Sequence, residues 1–254
     1  MLERIIEAVK NAGEIYLSAK DDLGVESKGS AQNLVTKYDK MIQDYLFDEL
    51  RRIVPECAFL GEEGDGNKKL TDGYCFIIDP IDGTTNFIKG FCHSAISVGL
   101  AKDKEMLIGV VLDPDMGHLF YAEKGRGAYL NGRKIHCSEC CMEESLVLFG
   151  TCPYEHELAH KTFELTEKIF NRAIEVRRSG CAALDICYVA SGKADLYYEM
   201  ILRPWDWAAA SLILREAGGT AKTFDGSDLD AGKIDSFVCG NENSLKDFYE
   251  ILQS

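Results

Sequence analysis

The residues with the plainest chemistry lie in Ile77-Ile78-Asp79-Pro80-Ile81-Asp82-Gly83-Thr84-Thr85-Asn86-Phe87, where an apolar run ends in two carboxylates, a glycine and two hydroxyls. Asp79 and Asp82, three residues apart across a tight turn, can converge on one point, and Gly83 supplies the positive φ or close approach that such a turn needs. Converging carboxylates repel one another unless a cation lies between them. An all-oxygen donor set suits a hard ion such as Mg²⁺ or Mn²⁺ rather than zinc. If Thr84 and Thr85 open a helix, their unpaired backbone N–H groups form an anion site beside that cation. A hard metal next to an anion cradle is equipment for phosphate chemistry.

The elements that must position these groups follow from periodicity. Residues 74–78 form a short, β-rich apolar run of the kind that fills a core strand, with Pro80 holding Asp79 extended and ending the strand. Upstream, Leu2, Ile5, Ile6, Val9, Tyr16 and Leu17 recur at helical spacing and predict an amphipathic helix over 2–19. The polar stretch from Asp21 to Gln32 reads as a loop, and a second amphipathic helix is expected over 39–53, with Lys28 and Asp39 flanking its start. Downstream, the apolar runs 94–101, 106–112 and 119–122, with the hairpin signal Asn131-Gly132, predict an antiparallel sheet. From residue 146 strands and helices alternate: strands at 146–149, 173–176, 194–198 and 236–239, and helices at 156–171, 182–190, 205–217 and 244–252. Alternation of this kind indicates an α/β layer. The expected division is therefore a 1–145 half and a 146–254 half packed as one compact body.

Several other polar groups have two readings each. Asp39 reads first as an acid in a first helical turn. Glu62 and Glu63, after Phe59-Leu60-Gly61, resemble a common surface turn. Asp206 in Pro204-Trp205-Asp206-Trp207 also fits a helix start, but its flanking tryptophans indicate burial, where a lone carboxylate is costly unless paired or bound to metal. His156-Glu157-Leu158-Ala159-His160 matches the zinc-peptidase pattern H-E-x-x-H, without an evident third ligand. Pro153, Glu155 and Glu157 also suit an ordinary first helical turn. His93, His118 and His136 stand alone on or beside strands and read as structural.

Composition narrows the classes. The 28 basic and 42 acidic residues give a net charge of −14, which disfavours non-specific binding to nucleic acid or an anionic membrane. With 46% hydrophobic residues in 254, a substantial core is available. No apolar run approaches a membrane span and no secretory pattern opens the sequence, so a cytoplasmic protein is expected. The ten cysteines then read as reduced thiols, and Cys137-Ser138-Glu139-Cys140 lacks the second pair of a zinc ribbon.

Taken together, Gly61-Glu62-Glu63, the Asp79–Phe87 stretch and Leu202-Arg203-Pro204-Trp205-Asp206 resemble the inositol monophosphatase family of Mg²⁺-dependent, lithium-sensitive phosphatases, in the family's order and spacing over nearly the whole chain. Thr85-Asn86-Phe87 resembles the inositol phosphatase branch, whereas branches acting on nucleotide 3′-phosphates or histidinol phosphate usually have lysine at the position of Thr85. The resemblance implies an α/β (α+β) fold, the five-layered α-β-α-β-α sandwich, and a homodimer. It implies two or three Mg²⁺ ions, replaceable by Mn²⁺. Glu62, Asp79 and the carbonyl of Ile81 would hold the first and Asp79, Asp82 and Asp206 the second, with a weaker third shared by Glu62. Gly83 and Thr84 amides, with Thr85 beside them, would receive the phosphate. Thr84, oriented by Asp39, would help Glu62 position water. Gly180, Cys181, Ala182 and Glu199 would contact the alcohol part of the substrate, as would Asp82 and Asp206 beside it. Cys181 stands where many relatives have threonine, and Asn33 where aspartate is frequent, which bears on the ester preferred. The implied activity is hydrolysis of myo-inositol 1-phosphate, with fructose 1,6-bisphosphate or another sugar or polyol phosphate as the alternative. A zinc peptidase, and a binding protein that kept the fold without the activity, are the readings from other classes.

Overall fold

The computed structural model describes residues 1–19, 23–27, 34–63, 70 and 72–253. Most of the Asp21–Gln32 loop, with Lys28 and Asn33, lies outside the described residues. Within that region Glu26–Ser27 (β1) pairs antiparallel with Leu34–Val35 (β2).

The two N-terminal amphipathic repeats form α1 (Leu2–Leu17) and α2 (Lys37–Ile53). They cover one face of a seven-stranded sheet made of β3 (Ala58–Gly61), β4 (Tyr74–Asp82), β5 (Ala95–Lys102), β6 (Glu105–Asp113), β7 (His118–Glu123), β8 (Ala128–Leu130) and β9 (Arg133–Ile135), in that spatial order. Successive strand side chains point to opposite faces, so the apolar run of β4 serves two cores. Phe76 and Ile78 pack with Ile5, Val9, Ile42 and Leu46 of the helices, whereas Cys75 and Ile77 face the other way. That second face is covered by α5 (Ala182–Ala190) and α6 (Pro204–Glu216), whose many buried alanines allow close approach.

The same two helices lie on a five-stranded sheet in the order β11 (Glu175–Arg177), β10 (Leu146–Phe149), β12 (Leu196–Leu202), β14 (Asp235–Gly240), β13 (Thr220–Lys222). Here too the faces alternate: Leu148 and Tyr197 point to the central helices, Val147 and Tyr198 to an outer pair. The outer pair, α4 (Ala159–Phe170) and α7 (Glu242–Gln253), closes the fifth layer through Leu165, Ile169, Leu245, Phe248 and Ile251. The architecture is the α-β-α-β-α sandwich.

Three local expectations are corrected. The first sheet is mixed rather than purely antiparallel, because β3 pairs parallel with β4. Pro80 does not end its strand: β4 continues to Asp82, and the register with β5 shifts between Asp79 and Asp82, where a residue without an N–H is tolerated. The segment His156–Leu158 is a 3₁₀ turn and α4 begins only at Ala159. A regular α-helical spacing of His156 and His160 is thereby lost, and His156, Glu157 and His160 are all exposed.

Candidate active site

The acids that sequence placed far apart open onto one cleft of about 280 Å³, lined by Glu62, Asp79, Asp82 and Asp206 together with the Gly83-Thr84-Thr85 turn. Glu62 follows the end of β3, Asp79 and Asp82 close β4, and Asp206 stands in the first turn of α6. Ile81, Gly180, Cys181, Ala182 and Glu199 complete the walls. Asp39 is the one predicted site residue behind the lining. It is fully buried, and its Oδ2 caps α2 by accepting Thr36 N at 2.7 Å and Thr36 Oγ1 at 2.6 Å. Its Oδ1 lies 3.5 Å from Thr84 Oγ1, so the capping acid also reaches the site. Thr84 Oγ1 donates in addition to the Ile81 carbonyl at 3.1 Å.

Gly83 is the N-cap of α3 (Thr84–Lys89) with φ of +85°, a conformation that favours glycine. A Cβ there would also press to 3.1 Å from the Gly180 carbonyl and 3.2 Å from that of His93. The turn is thus packed against the segment leading into α5. Asn86 Nδ2 fastens the same contact by donating to the carbonyls of His93 at 2.8 Å and Ser179 at 3.0 Å. Ser94 Oγ donates to the Gly83 carbonyl at 3.0 Å.

The electrostatics are those of an acid cluster. Burial, then the neighbouring charges of Glu62, Asp82 and Asp206, hold the Asp79 carboxyl well above the usual range. Burial pushes Asp82 up to about 7, against the opposing hydrogen bonds from Ala183 N and Cys181. Asp206 is likewise raised, first by burial and then by Asp82. Each of the three is braced through one oxygen: Asp79 Oδ1 accepts Ile81 N at 3.1 Å, Asp82 Oδ2 accepts Ala183 N at 2.6 Å, and Asp206 Oδ2 accepts Arg203 N at 2.7 Å. No three such side chains are drawn together into a closed metal cage among the described residues. The donor chemistry fits a hard divalent cation: oxygen only, acidic and positioned by backbone bonds.

Glu199 also lines the cleft. It is buried, its Oε2 accepts the Tyr197 hydroxyl at 2.6 Å, and its Oε1 accepts Cys152 N at 2.8 Å. Burial raises its carboxyl while these donors oppose the shift. Gly150 makes this possible, because a Cβ there would overlap the Glu199 carboxylate.

Sequence reasoning overlooked Gly150, Cys152, Asp185, Arg178 and Arg203, all of which line the cleft. A signal for three of them existed. β10 and β11 are parallel, and Gly150, Cys152 and Arg178 follow their carboxyl ends, where open α/β sheets gather ligands. Asp185 accepts Ser179 Oγ at 2.5 Å and lies 3.8 Å from His93 Nε2. All ten cysteines are free thiols, and no helix among the described residues is long and apolar enough to cross a membrane.

Known proteins share this construction. The chain is 40% identical over 237 residues to inositol monophosphatase 2 of Solanum lycopersicum, covering 89% of this chain and 88% of that one. It is 36% identical over 230 residues to Nus factor SuhB of Xylella fastidiosa, covering 88% and 82%. The crystal structure of the extragenic suppressor protein suhB from Bartonella henselae superposes with a TM-score of 0.90 at 30% identity, over 99% of this chain and 98% of that one. The sequence profile of the inositol monophosphatase family spans residues 1–253, and the chain belongs to that family.

Proposed function

We propose that the protein is a Mg²⁺-dependent phosphomonoesterase that hydrolyses myo-inositol 1-phosphate to inositol and phosphate. The observation that carries this reading is the meeting of Glu62, Asp79, Asp82 and Asp206, from three separate segments, beside the Gly83–Thr84 turn in one cleft. The name of the tomato relative supports the inositol class.

Glu62, Asp79 and the Ile81 carbonyl would hold one cation and Asp79, Asp82 and Asp206 another, with Glu62 shared by a third and Mn²⁺ able to replace Mg²⁺. When bound, such ions polarise the phosphoryl group and acidify water. Backbone N–H groups of Gly83, Thr84 and Thr85 receive phosphate oxygens at the start of α3. Thr84 Oγ1, held between Asp39 and the Ile81 carbonyl, orients the attacking water together with Glu62. Water oxygen bonds to phosphorus as the ester P–O bond breaks, and the alcohol leaves with a proton from solvent. Glu199, fixed by Tyr197 and Cys152, accepts substrate hydroxyls, while Gly180, Cys181 and Ala182 form the wall against the ring. The assembly would be a homodimer.

One observation favours a second ester. Among the described residues Arg178 and Arg203 are the cations lining the cleft, and the charge of Arg178 acts on the carboxyls of Asp185 and Glu199. An arginine in that position suits a substrate with a second phosphate, such as fructose 1,6-bisphosphate.

A phosphate-release panel over inositol 1-phosphate, fructose 1,6-bisphosphate, adenosine 3′,5′-bisphosphate and histidinol phosphate, with Mg²⁺ or with EDTA, tests both. The expected result is EDTA-sensitive release that is fastest for inositol 1-phosphate. Absence of release from all four, or release indifferent to EDTA, would sink the proposal.

A further inference from the structure

Asp39 and Gln43 lie one helical turn apart on α2 and so share a face. Asp39 reaches Thr84. Gln43 reaches the segment that carries Glu62, and nothing in the sequence motifs points to it. Its side chain is buried, with 6% exposure. The carboxamide instead grips one backbone unit twice: Nε2 donates to the Glu63 carbonyl at 2.7 Å and Oε1 accepts Glu63 N at 3.0 Å. This pairing copies a β-ladder at the point where β3 has run out of partners, one residue beyond the contact of Glu62 N with the Ile78 carbonyl at 3.2 Å. The backbone of Glu62 is therefore tied down on both sides, by β4 through its own N–H and by α2 through its neighbour. Gly61 completes the device, since a Cβ at that position would overlap Gln43 Oε1.

We propose that Gln43 is a positioning residue that aims the Glu62 carboxylate into the cleft and thereby sets the affinity of the site for its divalent cation. The inference rests on the assignment of Glu62 as a cation ligand. A carboxamide meets the requirement without titrating, because it offers a donor and an acceptor side by side. Glutamate would set a carboxylate oxygen against the Glu63 carbonyl and add a charge to an acid cluster. Methionine would fill the volume and bond to neither backbone group. One helix would then serve both catalytic acids: Asp39 through Thr84, and Gln43 through the chain carrying Glu62.

The test is Mn²⁺ binding to the intact protein by titration calorimetry, alongside activity as a function of Mg²⁺ concentration. Gln43→Met is expected to weaken Mn²⁺ binding by roughly 10-fold, the range typical for residues that orient metal ligands, and Gln43→Glu at least as much. Saturating Mg²⁺ should restore kcat, with KM for inositol 1-phosphate unchanged, a pattern that a general loss of stability would not produce. Gly61→Ala reaches the same clamp from its opposite side and should reproduce the effect if Gln43→Met fails to fold. Wild-type Mn²⁺ affinity in folded Gln43→Met, or lost kcat with unaltered cation affinity, would overturn the role of Gln43 while leaving the phosphatase reading intact. A wild-type protein that binds no Mn²⁺ would overturn both.

Discussion

The Sγ of Cys181 lies 3.2 Å from Oδ2 of Asp82, and the same oxygen accepts Ala183 N at 2.6 Å. An acid at the end of β4 is thus held by the first turn of α5, nearly a hundred residues later in the chain. Because Asp82 carries both a candidate metal bond and this brace, the identity of residue 181 bears on the acid.

Replacing Cys181 by threonine exchanges a weak thiol donor for a stronger hydroxyl. A better donor favours the ionised carboxylate and lowers its pKa from the value of about 7. In metal-free protein the titration midpoint of the Asp82 carboxyl, followed by infrared or NMR spectroscopy, should move to lower pH in Cys181→Thr. An unmoved midpoint would show that residue 181 does not tune Asp82.

Gly150→Ala places a methyl group where the Glu199 carboxylate sits. The carboxylate must leave Tyr197 and Cys152 N and swing into the cleft. We expect kcat/KM for inositol 1-phosphate to fall by roughly 10- to 100-fold, as for loss of a buried charge-assisted hydrogen bond, with Mn²⁺ affinity retained. Equal activity of the variant on this ester would remove Glu199 from substrate recognition.

Asp82→Asn keeps an acceptor for Ala183 N and nearly the same shape, but removes a charge from the cluster. Turnover should drop by on the order of 100-fold or more, while the circular dichroism spectrum is preserved. Wild-type phosphate release by the folded variant would contradict the assignment.

Stability should depend on pH in a direction set by the same acids. Asp82 titrates at about 7 in the folded protein, against 3.8 ordinarily, so the folded state holds the proton more tightly than the unfolded chain. Between those values the unfolded state binds fewer protons, and stability falls as pH rises. Asp79 and Asp206 are raised as well, and His93, which burial lowers but Asp185 raises on balance, acts in the same sense. In EDTA the melting temperature should therefore decline from pH 5 to pH 8. Added Mg²⁺ should raise it more at pH 8 than at pH 5, since the cation competes with protons for the carboxylates. A Mg²⁺ increment that is the same at both pH values would disprove the coupling.

What the sequence determines by itself is local. The 3.6-residue repeats specify α1, α2 and the later helices, the apolar runs specify the central strands, and the residue types of Asp79–Thr84 are those from which a hard-cation and anion site is expected. Local pattern also misleads where a neighbour decides the outcome. Pro80 looks like a strand end, yet pairing with β5 carries the strand past it through a register shift. His156 and His160 look like zinc ligands, yet the helix begins between them. Asp39 looks like a cap, and is one, but its second oxygen faces a threonine 45 residues away, which no helical rule can reveal. Only the tertiary structure decides that Glu62, Asp79, Asp82 and Asp206 share a cleft, that Gly150 leaves room for Glu199, and that Gln43 grips the Glu63 backbone. Those facts depend on how two sheets close on the helices between them, and the energy that fixes that closure lies in burial of apolar faces remote from the acids.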